Sequence, residues 1–285
     1  MGRHLRRSLG GRPVVATFHS TQLVDAVPLD VRDERAVRTL VAEVRPATII
    51  LAAAEPNVER CEREPEETRR VNVDVVRPLA EEAERLGALL VVFSSEYVFD
   101  GSKGRYAEDD AVHPLNDYGR QKIDLEEIAS RLPRHLVCRT SGVFGVEPAE
   151  KNFVCQLVRA LAARRPFAVP SDQLITPTYA PSLADTVVRL VDMGAGGLLH
   201  VAGPRIMPRM AFAELVCETF ELDCGLLRPI PTDELGLDAP RPRGAGLADQ
   251  RLRALVGHAL VDPEEGLRSM SQLLLPQSKG TSGLS

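Results

Sequence analysis

Short apolar runs alternate with segments of helical length and period along most of this chain, and no other feature restricts its fold so tightly. Residues 14–18, 48–53, 88–94 and 135–139 have the length and composition of strands. Between them, 33–44, 66–86 and a segment through Tyr118 to about 131 place apolar residues at helical spacing. A further helix is expected over 2–9, where Leu5 and Leu9 stand one turn apart. A strand, a helix and a second strand in that order close into a sheet only through a crossover, and the result is a parallel sheet covered on both faces. The expectation is an α/β, doubly wound parallel sheet. Past residue 145 the pattern loosens into helices over 152–163, 181–193 and 208–220, a strand at 198–201, and Pro-containing connectors. Residues 1–145 thus read as the main core and 146–270 as a smaller mixed lobe whose elements return to that core. Residues 271–285 read as a disordered Gly/Ser tail.

Composition limits the function classes. With 44% hydrophobic and 26% charged residues and a net charge of −5, the chain is an ordinary globular one with no general affinity for nucleic acid. No run of 18 apolar residues occurs, so no membrane span is expected. Residues 1–9 have a basic flank but no apolar core, so no signal peptide is read. Cys61, Cys138, Cys155, Cys217 and Cys224 are odd in number and scattered, which argues for a reducing, cytoplasmic compartment and against a zinc site or disulfide framework.

Chemistry concentrates in two segments. The apolar run Val91-Val92-Phe93 ends in Ser94 and Ser95, hydroxyls delivered to the carboxyl end of a buried strand. Farther on, Tyr118 and Lys122 stand at i and i+4, on one helix face. An ammonium there is expected to lower the phenol's pKa from its ordinary value of about 10. A serine beside it would hold a carbonyl or hydroxyl oxygen for proton transfer while hydride moves at carbon. A Tyr-x-x-x-Lys pair alone is usually a surface pair; the hydroxyl-ended strand and the surrounding alternation favour the chemical reading.

Together with Ser94-Ser95-Glu96-Tyr97-Val98-Phe99-Asp100-Gly101, Pro114-Leu115-Asn116-Asp117-Tyr118-Gly119-Arg120-Gln121-Lys122, Arg139-Thr140-Ser141, Asn152-Phe153-Val154, Asp172-Gln173, Pro177-Thr178 and Arg241-Pro242-Arg243, these residues resemble one family. The chain looks like an extended short-chain dehydrogenase/reductase, most similar to the dTDP-4-dehydrorhamnose reductase family, to which the regulatory beta subunit of methionine adenosyltransferase is related. The resemblance implies a Rossmann-like fold and NADPH-dependent reduction of a 4-keto group on a nucleotide-activated deoxysugar. It makes Ser95, Tyr118 and Lys122 catalytic, with Lys122 also on the nicotinamide ribose. Cofactor contacts are expected from Gly2, from Asp30 and Val31 at the adenine, from Ala52, Ala53 and Ala54 at the ribose, and from Asn72. Substrate contacts are expected from Ser95, Glu96 and Asn152, with Arg241 and Arg243 on the diphosphate. NADP is favoured and NAD left open, because Thr17-Phe18-His19-Ser20 offers no acid for a free ribose hydroxyl. A nucleotide sugar is the implied partner, and a homodimer is left open.

The chain departs from the family at three places. Glu96 replaces an aspartate, Gly142 stands where many relatives carry an aromatic residue, and the first strand with its glycine-rich turn is missing ahead of Gly2. The expectation is that the native protein starts upstream of Met1. A shortened protein, or a permuted one in which Leu273-Leu274-Leu275 and Gly280–Gly283 imitate the strand and turn, are the other readings. A dinucleotide-binding regulatory subunit without redox chemistry is the alternative function. An epimerase or dehydratase fits less well, because Ser-Ser-Glu-Tyr lacks the acidic pair a dehydratase needs.

Overall fold

In the computed structural model the described residues are 1–20 and 22–274. The first half runs α1 (Gly2–Leu9), β1 (Ala16–Phe18), β2 (Ala26–Pro28), α2 (Glu34–Val44), β3 (Thr48–Leu51), α3 (Val58–Arg63), α4 (Pro65–Arg69), α5 (Val76–Leu86), β4 (Leu89–Ser95), β5 (Gly104–Tyr106), α6 (Asp117–Ser130) and β6 (His135–Thr140). The second continues with β7 (Val143–Phe144), α7 (Phe153–Ala162), β8 (Phe167–Pro170), β9 (Leu174–Ile175), β10 (Thr178–Tyr179), α8 (Ala180–Asp192) and β11 (Gly197–His200). It ends with β12 (Met207–Pro208), α9 (Arg209–Thr219), β13 (Leu227–Ile230), β14 (Ala245–Leu247), α10 (Gln250–Val256) and α11 (Pro263–Leu274).

The main sheet is parallel, in the order β11-β6-β4-β3. Strand β4 sits inside it, and its side chains alternate between two cores, as a period of two requires. Leu90 and Val92 join Val37, Leu79, Leu125 and Ile128 beneath α2, α5 and α6. Leu89 and Val91 join Leu5, Leu183, Val187 and Leu252 beneath α1, α8 and α10. This is the doubly wound α/β arrangement that the alternation predicts. A third core lies apart from the main sheet, where Phe144, Val154, Phe212 and Met270 gather from β7, α7, α9 and α11.

The sheet is divided. β1 and β2 form a separate parallel pair, and among the described residues neither β1 nor β3 has a strand on its second edge. Val14, Val15 and Val27 near that pair are exposed at 42%, 48% and 39%. Half the amide and carbonyl groups of an outer strand point away from its partner, so β1 and β3 each present an unmet row.

Three differences from the sequence reading concern the site or the chain's end. The helix expected over 66–86 is broken into α4, a π turn at Arg70–Asp74, and α5. The helix α3 has too few apolar residues to show a period. Residues 271–274 of the expected tail belong to α11, so Leu273 and Leu274 end a helix rather than imitate a strand; residues 275–285 lie outside the described residues.

Candidate active site

Ser95 closes β4 in extended geometry, and its hydroxyl caps a short 3-10 turn at Glu96–Val98, accepting from the Tyr97 amide at 3.3 Å. The same hydroxyl donates to Glu96 Oε2 at 2.8 Å. Helix α6 starts against this turn. Buried Asn116 caps it, accepting from the Gly119 amide at 2.9 Å, and donates its own amide to the Pro240 carbonyl at 2.7 Å. Gly119 permits the close approach: a Cβ there would strike the Tyr97 carbonyl and come 2.9 Å from Pro114 Cβ. The Tyr118 ring therefore meets the Tyr97 ring edge-on, with centroids 5.5 Å apart. One turn on, Lys122 places Nζ 5.5 Å from the Tyr118 ring centroid and donates to the Phe93 carbonyl at 2.9 Å. Ser95, Tyr118 and Lys122 are thus gathered at the carboxyl end of β4, where open α/β sheets bind their ligands.

The electrostatics differ from the sequence expectation. Burial pushes the Tyr118 phenol above its ordinary value, the Glu96 carboxylate pushes it further, and only the Ser95 hydroxyl pulls it back. Desolvation dominates, so the phenol is held as an acid at neutral pH. Burial lowers Lys122 to about 8, against the raising influence of Cys61 and Glu126. Burial likewise raises Glu96, opposed by bonds from Ser95 and by the Arg209 charge. Beneath the site lies a polar network invisible in the sequence. Ser94 donates to Glu126, and Arg139 binds the same carboxylate through Nε at 2.9 Å and Nη2 at 2.7 Å. Both partners are buried.

Several expected cofactor contacts are placed otherwise. Asn72 is buried in the π turn and spends its amide internally: it accepts from the Glu55 amide at 2.8 Å and donates to Gln121 Oε1 at 2.7 Å. It clasps the loop after β3 to α6 and positions the site from behind. Asp30 is claimed by Arg32 through bonds of 2.6–3.0 Å, which holds its carboxyl down at about 2. The Val31 side chain packs against the core beneath α2. Gly2 is exposed, and a Cβ there would meet nothing, so no tight approach requires a glycine.

The fit to a dinucleotide is accordingly good at one end only. Ala53 and Ala54 are exposed beyond β3 with side chains small enough to leave backbone approachable. Lys122 is 3% exposed and donates one hydrogen bond where an ammonium has three to give. Those spare donors suit ribose hydroxyls. At the phosphate end the described residues supply no glycine turn.

On the substrate side, Glu96 lies beside Ser95, and Asn152 has its polar atoms engaged within the chain. It caps α7, accepting from the Cys155 amide at 3.1 Å and donating to the Gly145 carbonyl at 2.9 Å. Arg241 lies over the Tyr97 ring at 5.8 Å and is paired with Glu59 at 2.6 Å. Arg243 diverges to the surface, held by Asp172 and Asp233. Gly142 has φ +50°, a left-handed conformation that an aromatic residue resists. The sequence reading missed Arg209 at the start of α9. Its guanidinium stacks on Phe153 at 5.1 Å and its field reaches Tyr97 and Glu96; only the tertiary fold brings it there.

Comparisons agree with this geometry. A dTDP-4-dehydrorhamnose reductase from Sinorhizobium fredii is 31% identical over 255 residues, 85% of this chain and 86% of that one. Methionine adenosyltransferase 2 subunit beta from Pongo abelii is 32% identical over 233 residues, 78% of this chain and 69% of that one. A solved dTDP-4-dehydrorhamnose reductase from Bacillus anthracis, in complex with NADP, superposes with a TM-score of 0.80 at 28% identity, covering 85% of this chain and 86% of that one. The family model described as RmlD substrate binding domain matches residues 1–275, and the chain belongs to that family.

Proposed function

We propose that this protein reduces a keto group on a nucleotide-activated deoxysugar with NADPH, in the manner of the dTDP-4-dehydrorhamnose reductases. The observation that carries the reading is the meeting of Ser95, Tyr118 and Lys122 at the end of β4. The nicotinamide, when bound, supplies hydride to the carbonyl carbon. Ser95, turning its one O–H from Glu96 to the substrate, holds the carbonyl oxygen by a hydrogen bond. Tyr118, kept protonated by its surroundings, gives its proton to that oxygen as negative charge develops there. The Lys122 ammonium stabilises the phenolate left behind, and its spare N–H groups orient the nicotinamide ribose. In this reading residues 1–145 hold the cofactor and 146–270 the sugar nucleotide. The five free thiols fit a cytoplasmic setting. Among the described residues no helix is long and apolar enough to cross a membrane.

The test is NADPH oxidation with dTDP-4-dehydro-6-deoxysugars. Tyr118→Phe should lower turnover about 10²–10⁴-fold, the usual contribution of a positioned proton donor, while substrate affinity stays near wild type. A Tyr118→Phe variant with the wild-type rate overturns the assignment. The divided sheet and the bare phosphate end favour a second reading, a regulatory subunit like the methionine adenosyltransferase beta subunit. A stoichiometric enzyme partner recovered from native extract, with no turnover on any keto-sugar nucleotide, would establish it.

A further inference from the structure

Three arginines approach the substrate side, and two of them are already neutralised. Glu59 takes the charge of Arg241, and Asp172 with Asp233 takes that of Arg243. Arg209 makes no ion pair among the described residues, and its Nε is buried without a hydrogen-bond partner. The side chain is nevertheless firmly held. Nη1 donates to Gln173 Oε1 at 2.9 Å, and the backbone amide of Arg209 donates to the Gln173 carbonyl at 2.8 Å. Gln173 is itself buried and fixed by its bond to Thr232 at 3.0 Å. Phe153 closes one face of the guanidinium. Glu96 and Tyr97 lie close enough that their ionised forms would stabilise its charge. Glu96 does not answer that charge with a contact, because its carboxylate binds Ser95 and burial favours its neutral form.

A half-buried guanidinium with an unpartnered Nε and no counter-ion is costly, and such a group persists where a ligand completes it. Its planar fork matches two oxygens of one anion. We infer that Arg209 is a substrate-binding residue that grips an oxyanion of the nucleotide sugar, with the phosphate group as the anion and Arg241, which lies over the Tyr97 ring, as the second, weaker clamp. The inference rests on the nucleotide-sugar reading of the cleft but not on catalysis. It moves the main diphosphate contact from the Arg241-Pro242-Arg243 segment to the start of α9.

Calorimetry with dTDP and with thymidine separates the two, because it needs no turnover. Arg209→Gln should weaken dTDP binding about tenfold to a hundredfold, the loss of one charge-assisted hydrogen bond, and leave thymidine unchanged. Arg209→Lys, which keeps the charge and loses the fork, should fall between and covers the case in which the glutamine variant does not fold. A third arm compares a nucleotide hexuronate with the matching nucleotide hexose. If Arg209→Gln weakens only the uronate and leaves dTDP untouched, the anion is a sugar carboxylate and the phosphate assignment is overturned. Equal dTDP affinity in wild type and both variants also overturns it. Wild-type protein that turns over no keto-sugar yet loses dTDP on Arg209→Gln would sink the reductase reading and keep this one.

Discussion

Lys122 has the clearest consequence at the scale of single residues. Its amine is held near 8, so the ammonium that supports Tyr118 disappears as pH rises through that value. The rate of reduction should therefore fall above about pH 8, and Lys122→Arg, which stays charged, should push that fall to higher pH while working more slowly overall. A pH profile of kcat/KM for both proteins checks it. Stability moves the other way. A lysine whose folded value lies below its ordinary 10.5 binds protons more readily when unfolded. The penalty is fully present below about pH 8 and is relieved as pH climbs towards 10.5. Sequence spacing placed Tyr118 and Lys122 on one helix face but not the sign of the phenol's shift. That sign depends on how much water the fold removes and on Glu96 lying alongside, neither of which an i, i+4 spacing contains.

At the scale of elements, α6 is positioned by two devices, and each can be broken alone. Gly119→Ala would force the first turn of α6 off the Glu96–Val98 turn, because the new methyl would meet backbone. Tyr118 would move away from Ser95, and a displacement of about 1 Å costs on the order of 10²-fold in rate. Single-turnover rates should show the loss with the melting point lowered only moderately. Glu126→Gln instead leaves Arg139 without its counter-charge, a loss of about 3–5 kcal/mol when one partner of a buried pair is removed. Chemical denaturation measures it. Neither device was legible in the sequence. Gly119 stands inside the Tyr-x-x-x-Lys motif yet is required by a carbonyl from another element, and nothing in the spacing of Glu126 and Arg139 pairs them until the helix is laid on the sheet. The helices and strands of the main core were legible because their apolar period is set by burial on two faces. The short strands of the lobe, some only two residues long, carry no period at all.

For the molecule as a whole, the divided sheet is the weak point. The pair β1–β2 is tied to the rest through its loops and α2, so its amides should exchange with solvent well before those of β4 and β6. Hydrogen exchange read by mass spectrometry gives the order directly, and equal protection of the two groups would contradict it. The division itself was not legible, since the short runs at 14–18 and 48–53 do not say which strands pair. Nor was the internal employment of Asn72, Asn152 and Asp30, since family position says where a residue stands but not which neighbour has already engaged its polar atoms.

The π turn at Arg70–Asp74 has a last implication. Such a turn winds one surplus residue into a helix, and that residue cannot be removed without rotating everything after it by about 100°. In this wider, underwound register Asn72 reaches Glu55 on one side and Gln121 on the other. Helix content and hydrophobic burial could both survive a deletion there, while the groove wall beside the phenol swung out of line. Length, as well as the identity of Asn72, is what this segment has to preserve.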